Sequence, residues 1–292
     1  MPRIASSQRN NELLSVVDHD RAAAGLRYVY PVVSRRAAGV SVGINLNTSD
    51  ACNWRCVYCQ VPGLKRGAAP PVDLPKLEME LRSFLERVLR GDFLSSRVPE
   101  ASRRLNDIAL SGNGEPTSAR RFDEVIETVG RVRRALHVPD EVKTVLITNG
   151  SLVHRKEVKA GLERMRSLSG EVWYKVDSGS DAGMQLINNA RIGLKRVREN
   201  LSIAAHACPT WVQTCVFALD GAPPSEAEQR AYLELLAERL DAGVPIRGVL
   251  LYGLARQSHQ PEAARLSPLP AQWLESYAER IRSLGLAVKV TP

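Results

Sequence analysis

The sequence has few of the features that place a protein in a membrane or outside the cell. No apolar run approaches the roughly 18 residues that a membrane-spanning helix needs, and residues 1–10 lack the apolar core of a secretory signal. The chain has only five cysteines, an odd number, and none lies in residues 1–51. Because disulfides belong to oxidising compartments, these absences predict a cytoplasmic protein with free thiols.

Aromatic residues make up 5% of the chain, and no aromatic-interleaved RNA-binding motif accompanies its basic charge. The five histidines have no metal-ligand spacing, which disfavours a histidine-based metal site. The net charge is nonetheless +8, with basic clusters such as residues 131–134 and 195–198. A basic balance favours RNA or another polyanion as a partner, whereas solvated helix faces explain the charge more simply.

Three of the cysteines, Cys52, Cys56 and Cys59, lie within one eight-residue stretch. This spacing supplies three thiolates to one inorganic centre and leaves a fourth position open, as in a 4Fe-4S cluster with one free iron. A zinc site completed by Cys208 or Cys215 is the alternative, but these two residues lie far from the paired spacing of zinc ribbons. We expect both to be buried structural thiols.

The motif Cys-x3-Cys-x2-Cys, with Tyr58 directly before the last cysteine, resembles the signature of the radical S-adenosylmethionine superfamily. Residues 43–46, 111–117 and 148–152 resemble its iron–sulfur oxidoreductase branch, which includes the tRNA wyosine-base synthases. The resemblance covers roughly residues 39–290. It implies that a 4Fe-4S cluster cleaves S-adenosylmethionine reductively and that the resulting 5′-deoxyadenosyl radical abstracts hydrogen from a substrate. It also implies a one-electron donor of the flavodoxin or ferredoxin type.

The same resemblance implies a cofactor-binding loop at Gly112, Asn113, Gly114 and Glu115. These residues occupy the position of the family's Gly-Gly-Glu motif, with asparagine replacing one glycine. Glycines allow the backbone to approach a ligand closely. Glu115 is expected to pair with the ammonium group of S-adenosylmethionine through a charge-assisted hydrogen bond.

Further cofactor contacts are expected in the cysteine loop and at the ends of predicted strands: Tyr58, Asn149, Lys175, Asp177, Ser178, Gln213 and Tyr252. Tyr58 and Tyr252 correspond to positions near the adenine, and the polar residues correspond to ribose and carboxylate contacts. Asn149 is alternatively part of a simple Asn-Gly turn. Gln213 is expected to face inward if Val212 and Cys215 do not.

Apolar strands alternate with amphipathic helices from residue 40 onward. Strands are predicted at residues 40–46, 107–111, 142–148, 171–176, 210–219 and 245–252, with a short final strand at 286–290. This alternation implies parallel strands with right-handed crossovers. Six such units predict an α/β fold, a partial (βα)6 TIM-like barrel with outer helices, as the resemblance also implies. We divide the chain into an N-terminal extension, residues 1–38, and a barrel domain, residues 39–292.

Three other functions stay open: a glycyl-radical activase acting on a partner protein, an RNA-modifying radical enzyme, and a non-enzymatic iron–sulfur or zinc module that binds nucleic acid. The wyosine synthases carry an additional N-terminal cysteine set, which residues 1–51 lack. We therefore expect a single cluster and a different reaction. The loop at residues 255–270 is expected to cover the open side of the barrel, where Arg256, His259 and Arg265 would meet an anionic substrate.

Overall fold

A computed structural model describes residues 13–14, 25–34 and 39–292 of the protein. Its strands are β1 (Val29–Ser34), β2 (Gly39–Ile44), β3 (Ala51–Cys52), β4 (Lys65–Arg66), β5 (Leu105–Leu110), β6 (Lys143–Thr148), β7 (Gly170–Lys175), β8 (Thr210–Cys215), β9 (Ala218–Leu219), β10 (Ile246–Tyr252), β11 (Leu266–Ser267) and β12 (Ala287–Thr291). Its α-helices are α1 (Leu74–Arg90), α2 (Phe93–Arg97), α3 (Phe122–Ala135), α4 (Lys156–Arg166), α5 (Asp181–Asn188), α6 (Leu194–Ala207), α7 (Glu226–Asp241) and α8 (Ala271–Arg282).

The largest sheet has eight strands in the order β1-β2-β5-β6-β7-β8-β10-β12. β1 pairs antiparallel with β2, and each later neighbouring pair is parallel. The sheet curls into a half-barrel whose edge strands are β1 and β12. The predicted α/β partial barrel is confirmed, and the six predicted strands and the short final strand are all present.

Helices cover the outer face of the sheet because each buries one apolar side. In α1, for example, Leu77, Leu81 and Leu85 are fully buried. This helix begins at Asp73, whose carboxylate accepts a hydrogen bond from the Lys76 amide (3.0 Å) and so satisfies a free donor of the first turn. The strands beneath are covered on both faces, as parallel strands require, and all six residues of β2 are buried.

The C-terminal ends of the parallel strands lie along one edge of the half-barrel, where ligands of such folds bind. The cysteine loop, which we define as residues 45–64, follows β2 at this edge. The Gly-Asn-Gly-Glu loop follows β5, and the Asn-Gly turn follows β6. The fold therefore gathers segments that are up to about a hundred residues apart in the sequence.

Several elements differ from the sequence-based expectation. β1 precedes residue 38 and pairs with β2 beyond it, while the domain boundary at that residue stays a prediction. The helix α5 and the short pairs β3–β4 and β9–β11 were not predicted. α5 begins at Ser180, whose side chain caps the Gly183 amide, and ends at Asn189 in a left-handed conformation (φ 48°). In the described part of the chain, no helix is long and apolar enough to cross a bilayer.

Candidate active site

A cavity of about 290 Å³ lies inside the half-barrel, at the C-terminal ends of the strands. Most of the residues that the sequence analysis assigned to the site line this cavity: Cys52, Cys56, Tyr58, Cys59, Gly112, Asn113, Gly114, Glu115, Asn149, Lys175, Gln213 and Tyr252. They come from the cysteine loop and from the ends of five strands. The fold thus brings the expected cluster ligands and most of the expected cofactor contacts to one cavity.

The three cysteines of the loop are half-buried free thiols on the cavity wall. Burial raises the pKa of the Cys52 thiol to about 12 and that of Cys56 to about 11. The protein by itself therefore keeps these two thiols protonated at neutral pH. Binding as thiolates requires a cationic centre that displaces the protons.

The spacing of the thiols bears on which centre they fit. Among the described residues, no three His, Cys, Asp or Glu side chains are grouped closely enough to hold one metal ion. A tetrahedral zinc ion with bonds of about 2.3 Å needs sulfurs about 3.8 Å apart. Each thiolate of a 4Fe-4S cluster instead binds a different iron, which holds the sulfurs further apart. The three cavity-lining thiols match the donor set of such a cluster, one thiolate for each of three irons.

The Gly-Asn-Gly-Glu loop lies directly against the cysteine loop. A Cβ atom on Gly114 would stand 2.0 Å from the Ala51 carbonyl oxygen, and one on Gly112 would stand 2.3 Å from the Asn45 side-chain oxygen. The backbone amide of Asn113 donates a hydrogen bond to that same Asn45 oxygen (3.1 Å). Only glycine allows such close approach without moving a neighbour, so the two loops are held in one fixed relation.

Glu115 is buried, with 3% of its surface exposed, and its carboxylate joins two strand ends. Its Oε1 accepts hydrogen bonds from the amide (3.0 Å) and hydroxyl (2.5 Å) of Thr117 and from the Thr148 hydroxyl (2.6 Å). Its Oε2 accepts one hydrogen bond, from the backbone amide of Asn149 (2.7 Å). Oε2 thus accepts one hydrogen bond where Oε1 accepts three, which leaves it room for a further donor.

Asn149 connects the end of β6 to the cysteine loop. Its Nδ2 donates a hydrogen bond to the Asn53 side-chain oxygen (2.8 Å). The side-chain nitrogen of Asn53 in turn donates to the Ser151 hydroxyl (2.7 Å). The Asn149 oxygen also accepts a hydrogen bond from the Ser151 backbone amide (3.1 Å), as in an Asx turn. Asn149 is therefore both a turn residue, as the alternative held, and a residue of the cavity wall.

The buried Tyr58 and the half-buried Lys175 are in contact on the cavity wall. The Lys175 Nζ lies 3.0 Å from the Tyr58 hydroxyl and 4.8 Å from the centre of its ring. The hydroxyl donates to Asp177, which also accepts from the Cys215 amide (2.9 Å). Burial alone lowers the pKa of Lys175, but the acidic groups around it, Tyr252 and Asp177 foremost, outweigh burial and raise that pKa.

Asp177 and Ser178 lie behind the cavity wall. The Ser178 hydroxyl turns toward α7 and donates to Glu228 (2.7 Å). Neighbouring residues of an extended backbone face opposite sides, so the two side chains do not both point into the half-barrel. Neither Ser178 nor Asp177 lines the cavity, and Asp177 is linked to it by hydrogen bonds from Tyr58 and the Cys215 backbone amide.

Gln213 lies on the inner face of β8, in register with Lys175 on β7. It is fully buried, and neither its amide nitrogen nor its oxygen has a hydrogen-bond partner among the described residues. Gln213 faces inward although Cys215 does so too, because residues two apart on a strand share a face and both line the cavity. The condition that the sequence analysis attached to Gln213 was therefore not needed. A buried side-chain amide without a hydrogen-bond partner is costly, and this one lines the cavity.

The loop after β10 is hydrogen-bonded to the cysteine loop. The Ser258 hydroxyl donates to the Val57 carbonyl (2.7 Å), and the His259 amide donates to the Cys59 carbonyl (2.9 Å). Arg55 and Glu262 join the two loops through a pair of hydrogen bonds, each 2.7 Å long. These contacts hold the cluster-binding backbone from the side opposite the Gly-Asn-Gly-Glu loop.

The three basic residues expected to meet an anionic substrate lie in different surroundings. Arg256 lines the cavity and donates to the Gln60 side chain (3.0 Å). Arg265 forms two hydrogen bonds to Asp220 (2.8 and 2.6 Å) on the exposed surface. His259 is exposed and does not line the cavity. Arg256 alone of the three is placed to touch a ligand in the cavity.

Sequence reasoning missed the asparagines that join these loops. Asn45 stood inside one of the segments that carried the family resemblance, and Asn53 stood between two cluster cysteines, so both had a positional signal. Asn188 had none, because its place depends on α5, which was not predicted. Cys208 and Cys215 are buried, as expected.

A family model described as the Radical SAM superfamily matches residues 46–236. UPF0026 protein slr1464 of Synechocystis sp. is 25% identical over 210 residues, which are 72% of this chain and 70% of that protein. GTP 3′,8-cyclase of Stenotrophomonas maltophilia is 30% identical over 114 residues, which are 39% of this chain and 28% of the cyclase. The match to the cyclase is therefore partial on both sides.

Two solved structures share the fold at low sequence identity. TYW1 with a lysine–pyruvate adduct bound has a TM-score of 0.55 at 15% identity, covering 85% of this chain and 74% of that one. A radical SAM methyltransferase from Sphaerobacter thermophilus has a TM-score of 0.54 at 14% identity, covering 86% and 66%. The family model spans most of the half-barrel and its whole cysteine motif, so the chain belongs to the radical S-adenosylmethionine superfamily of enzymes, whose members bind a 4Fe-4S cluster and S-adenosylmethionine.

Proposed function

We propose that this enzyme holds a single 4Fe-4S cluster through Cys52, Cys56 and Cys59 and uses it to cleave S-adenosylmethionine reductively. The observation that carries the proposal is that these thiols share one cavity with the carboxylate of Glu115 and the unpaired amide of Gln213. A metal-binding loop that only stabilised a fold would not need an enclosed cavity with an unsatisfied polar wall. The proposed substrate is one from which a carbon-bound hydrogen is removed.

Such a cluster, when bound, supplies one electron to S-adenosylmethionine, so that methionine leaves and a 5′-deoxyadenosyl radical takes a hydrogen atom from the substrate. The residues of the chain bind and orient the reactants. Glu115 offers the free acceptor position of Oε2 to the ammonium group of S-adenosylmethionine. Gln213 offers both a donor and an acceptor at the same level of the barrel as Lys175.

The cavity wall also shields the reaction from water. Trp54 and Tyr58 are almost fully buried, and the ring of Tyr58 packs against Phe217 with ring centres 5.7 Å apart. A carbon radical needs such protection because solvent and stray side chains are competing hydrogen donors. An external one-electron donor of the flavodoxin or ferredoxin type is part of the proposal, since the cluster must be reduced before it can cleave S-adenosylmethionine.

Anaerobic reconstitution tests the cluster itself. We expect about four irons and four sulfides per chain, with visible charge-transfer absorption and a reduced-state electron paramagnetic resonance spectrum that changes when S-adenosylmethionine is added. Cys52→Ala, Cys56→Ala and Cys59→Ala are expected to lose the cluster, whereas Cys208→Ala, in the core, is expected to keep it. Stoichiometric zinc without visible absorption would contradict the proposal.

The substrate class is tested by following deuterium from labelled candidates into 5′-deoxyadenosine. Turnover that depends on RNA supports an RNA-modifying enzyme, and a glycyl radical on a partner protein supports an activase. We propose that the wyosine precursor is not the substrate. Efficient conversion of a methylguanosine-containing tRNA with pyruvate would show that this exclusion is wrong.

A further inference from the structure

The helix α5 ends against the backbone of the cysteine loop. The carbonyl oxygens of its last two residues, Ile187 and Asn188, accept hydrogen bonds from the amides of Val57 (2.8 Å) and Arg55 (3.1 Å). Asn189 then leaves the helix in a left-handed conformation. The two contacts fix the end of the helix beside the loop and bring the Asn188 side chain to Cys56.

The Asn188 side-chain amide bridges a cysteine sulfur and a carboxylate. Its Nδ2 lies 3.3 Å from the Cys56 Sγ and 2.7 Å from an oxygen of Asp177. An NH2 group carries two hydrogens, so each acceptor receives one. The residue is fully buried, which leaves no water to take over either bond.

The orientation of this amide follows from its acceptors. If the nitrogen and oxygen were exchanged, the amide oxygen would face the Asp177 carboxylate and the sulfur, and both hydrogen bonds would be lost. The Asp177 carboxylate is itself fixed by the Cys215 amide and the Tyr58 hydroxyl. The N–H group that points at Cys56 is therefore held by its surroundings.

We propose that Asn188 is a positioning residue that raises the reduction potential of the cluster by donating a hydrogen bond to the Cys56 thiolate. This inference rests on the proposed function, because it requires Cys56 to be a cluster ligand. Hydrogen bonds to the sulfurs are one of the factors that set the potential of an iron–sulfur centre. A donor to sulfur stabilises negative charge, and the reduced state carries one negative charge more than the oxidised state.

The hydrogen bond from Asn188 to the neighbouring carboxylate acts in the same direction as its bond to Cys56. Asn188 also donates to Asp177, and this bond offsets part of the negative charge beside the cluster. Loss of the amide would expose the reduced cluster to more of that charge. Both consequences of removing Asn188 lower the potential, so the sign of the expected effect does not depend on which of them is larger.

The test is an electron paramagnetic resonance titration of the anaerobically reconstituted protein. Asn188→Leu keeps the number and branching of the side-chain heavy atoms and removes the donor, and we expect its midpoint potential to be more negative than that of the wild type. Asn189→Gly is the matched control, because it keeps the left-handed end of α5 and removes only a side-chain contact to the Arg55 carbonyl (3.4 Å). Its potential is expected to stay at the wild-type value.

A measurement on the wild type covers the case in which Asn188→Leu does not assemble a cluster. With 15N in the asparagine side chains, pulsed spectroscopy of the reduced wild-type protein is expected to show a coupled nitrogen. Wild-type protein with a full cluster but no such coupling overturns the inference, as does an unchanged potential in Asn188→Leu. Wild-type protein that binds no iron and sulfide overturns the proposed function instead.

Discussion

Gly114 lies so close to Ala51 that a Cβ atom on the glycine would stand 2.0 Å from the Ala51 carbonyl oxygen. The neighbour is backbone, which cannot rotate away as a flexible side chain would. This contact joins the Gly-Asn-Gly-Glu loop to the first turn of the cysteine loop. The positions of Glu115 and Cys52 are thereby coupled, although the two residues lie more than sixty positions apart in the sequence.

The first prediction follows from that contact. Gly114→Ala is expected to force the two loops apart, at a cost of about 1–3 kcal/mol, the scale of overpacking in a well-packed interior. We expect a lower thermal midpoint and less iron retained after desalting. Gly193→Ala is the control, because its added Cβ would meet no atom closer than 3.8 Å. Equal iron retention in both variants would contradict the coupling.

The second prediction concerns the carboxylate of Glu115. Glu115→Gln is expected to weaken the binding of S-adenosylmethionine to the reconstituted protein by roughly 1–3 kcal/mol, the scale of a lost hydrogen bond to a charged group. Anaerobic isothermal titration calorimetry measures this directly.

A variant of a second buried carboxylate, Glu80, is the control that distinguishes an effect on binding from an effect on folding. Glu80 accepts hydrogen bonds from the amides of Arg27 (3.1 Å) and Tyr28 (2.8 Å), away from the cavity. Glu80→Gln is expected to lower the thermal midpoint without changing affinity for S-adenosylmethionine. If the two variants bind S-adenosylmethionine equally well, the role assigned to Glu115 is wrong.

The third prediction uses the unpaired amide of Gln213. Gln213→Leu removes two buried groups without partners, so the protein without ligand is expected to be as stable as the wild type or more stable, by about 1 kcal/mol. Its affinity for S-adenosylmethionine is expected to fall. Calorimetry and thermal unfolding measure the two effects, which have opposite signs.

The neighbouring Thr214 gives the matched comparison. Its hydroxyl donates to the Val176 carbonyl (2.9 Å) and contacts the Tyr232 hydroxyl (2.6 Å) on the outer face of β8. Thr214→Val should therefore lose stability and keep its affinity. A Gln213→Leu protein that is less stable than the wild type and binds S-adenosylmethionine normally would refute the idea that this amide awaits a ligand.

The barrel and the cysteine site could be predicted from the sequence, because both depend on local patterns of residues. Apolar runs such as residues 142–148 predict strands by their composition. The cysteine motif can be recognised from its spacing without any knowledge of the fold. Asn188 could not be recognised, since its partner Cys56 lies 132 positions away and meets it only in the folded chain. The position of Asn53 between two cysteines was a signal, but it did not reveal its partner Asn149, 96 positions away. No periodic pattern records such contacts.

Strand geometry explains the two misjudged side-chain directions. Ser178 was grouped with Asp177 at one strand end, although adjacent residues face opposite sides. Gln213 and Cys215 were treated as alternatives, although residues two apart share a face. α5 was missed because its eight residues include a glycine and a terminal asparagine, and the helix depends on the Ser180 cap for its start.

The fourth prediction concerns the ion pair that ties the cysteine loop to the loop after β10. Arg55→Ala removes a paired contact whose side chains are 28% and 19% exposed, worth about 1 kcal/mol or less. We expect faster loss of iron to a chelator, with the wild-type rate itself rising at high salt. Arg265→Ala breaks the more exposed pair with Asp220 on the same loop and should leave the rate unchanged. Identical rates of iron loss in both variants would contradict a role for the Arg55–Glu262 ion pair in holding the cysteine loop.

The most direct test of the central claim is the release of 5′-deoxyadenosine. Anaerobically reconstituted protein is incubated with dithionite and S-adenosylmethionine, and the product is measured by chromatography. We predict slow release by the wild type even without substrate, and none by Cys56→Ala, which lacks a cluster ligand. No 5′-deoxyadenosine from wild-type protein that carries a full, reduced cluster would contradict the assignment of reductive S-adenosylmethionine cleavage to this cavity.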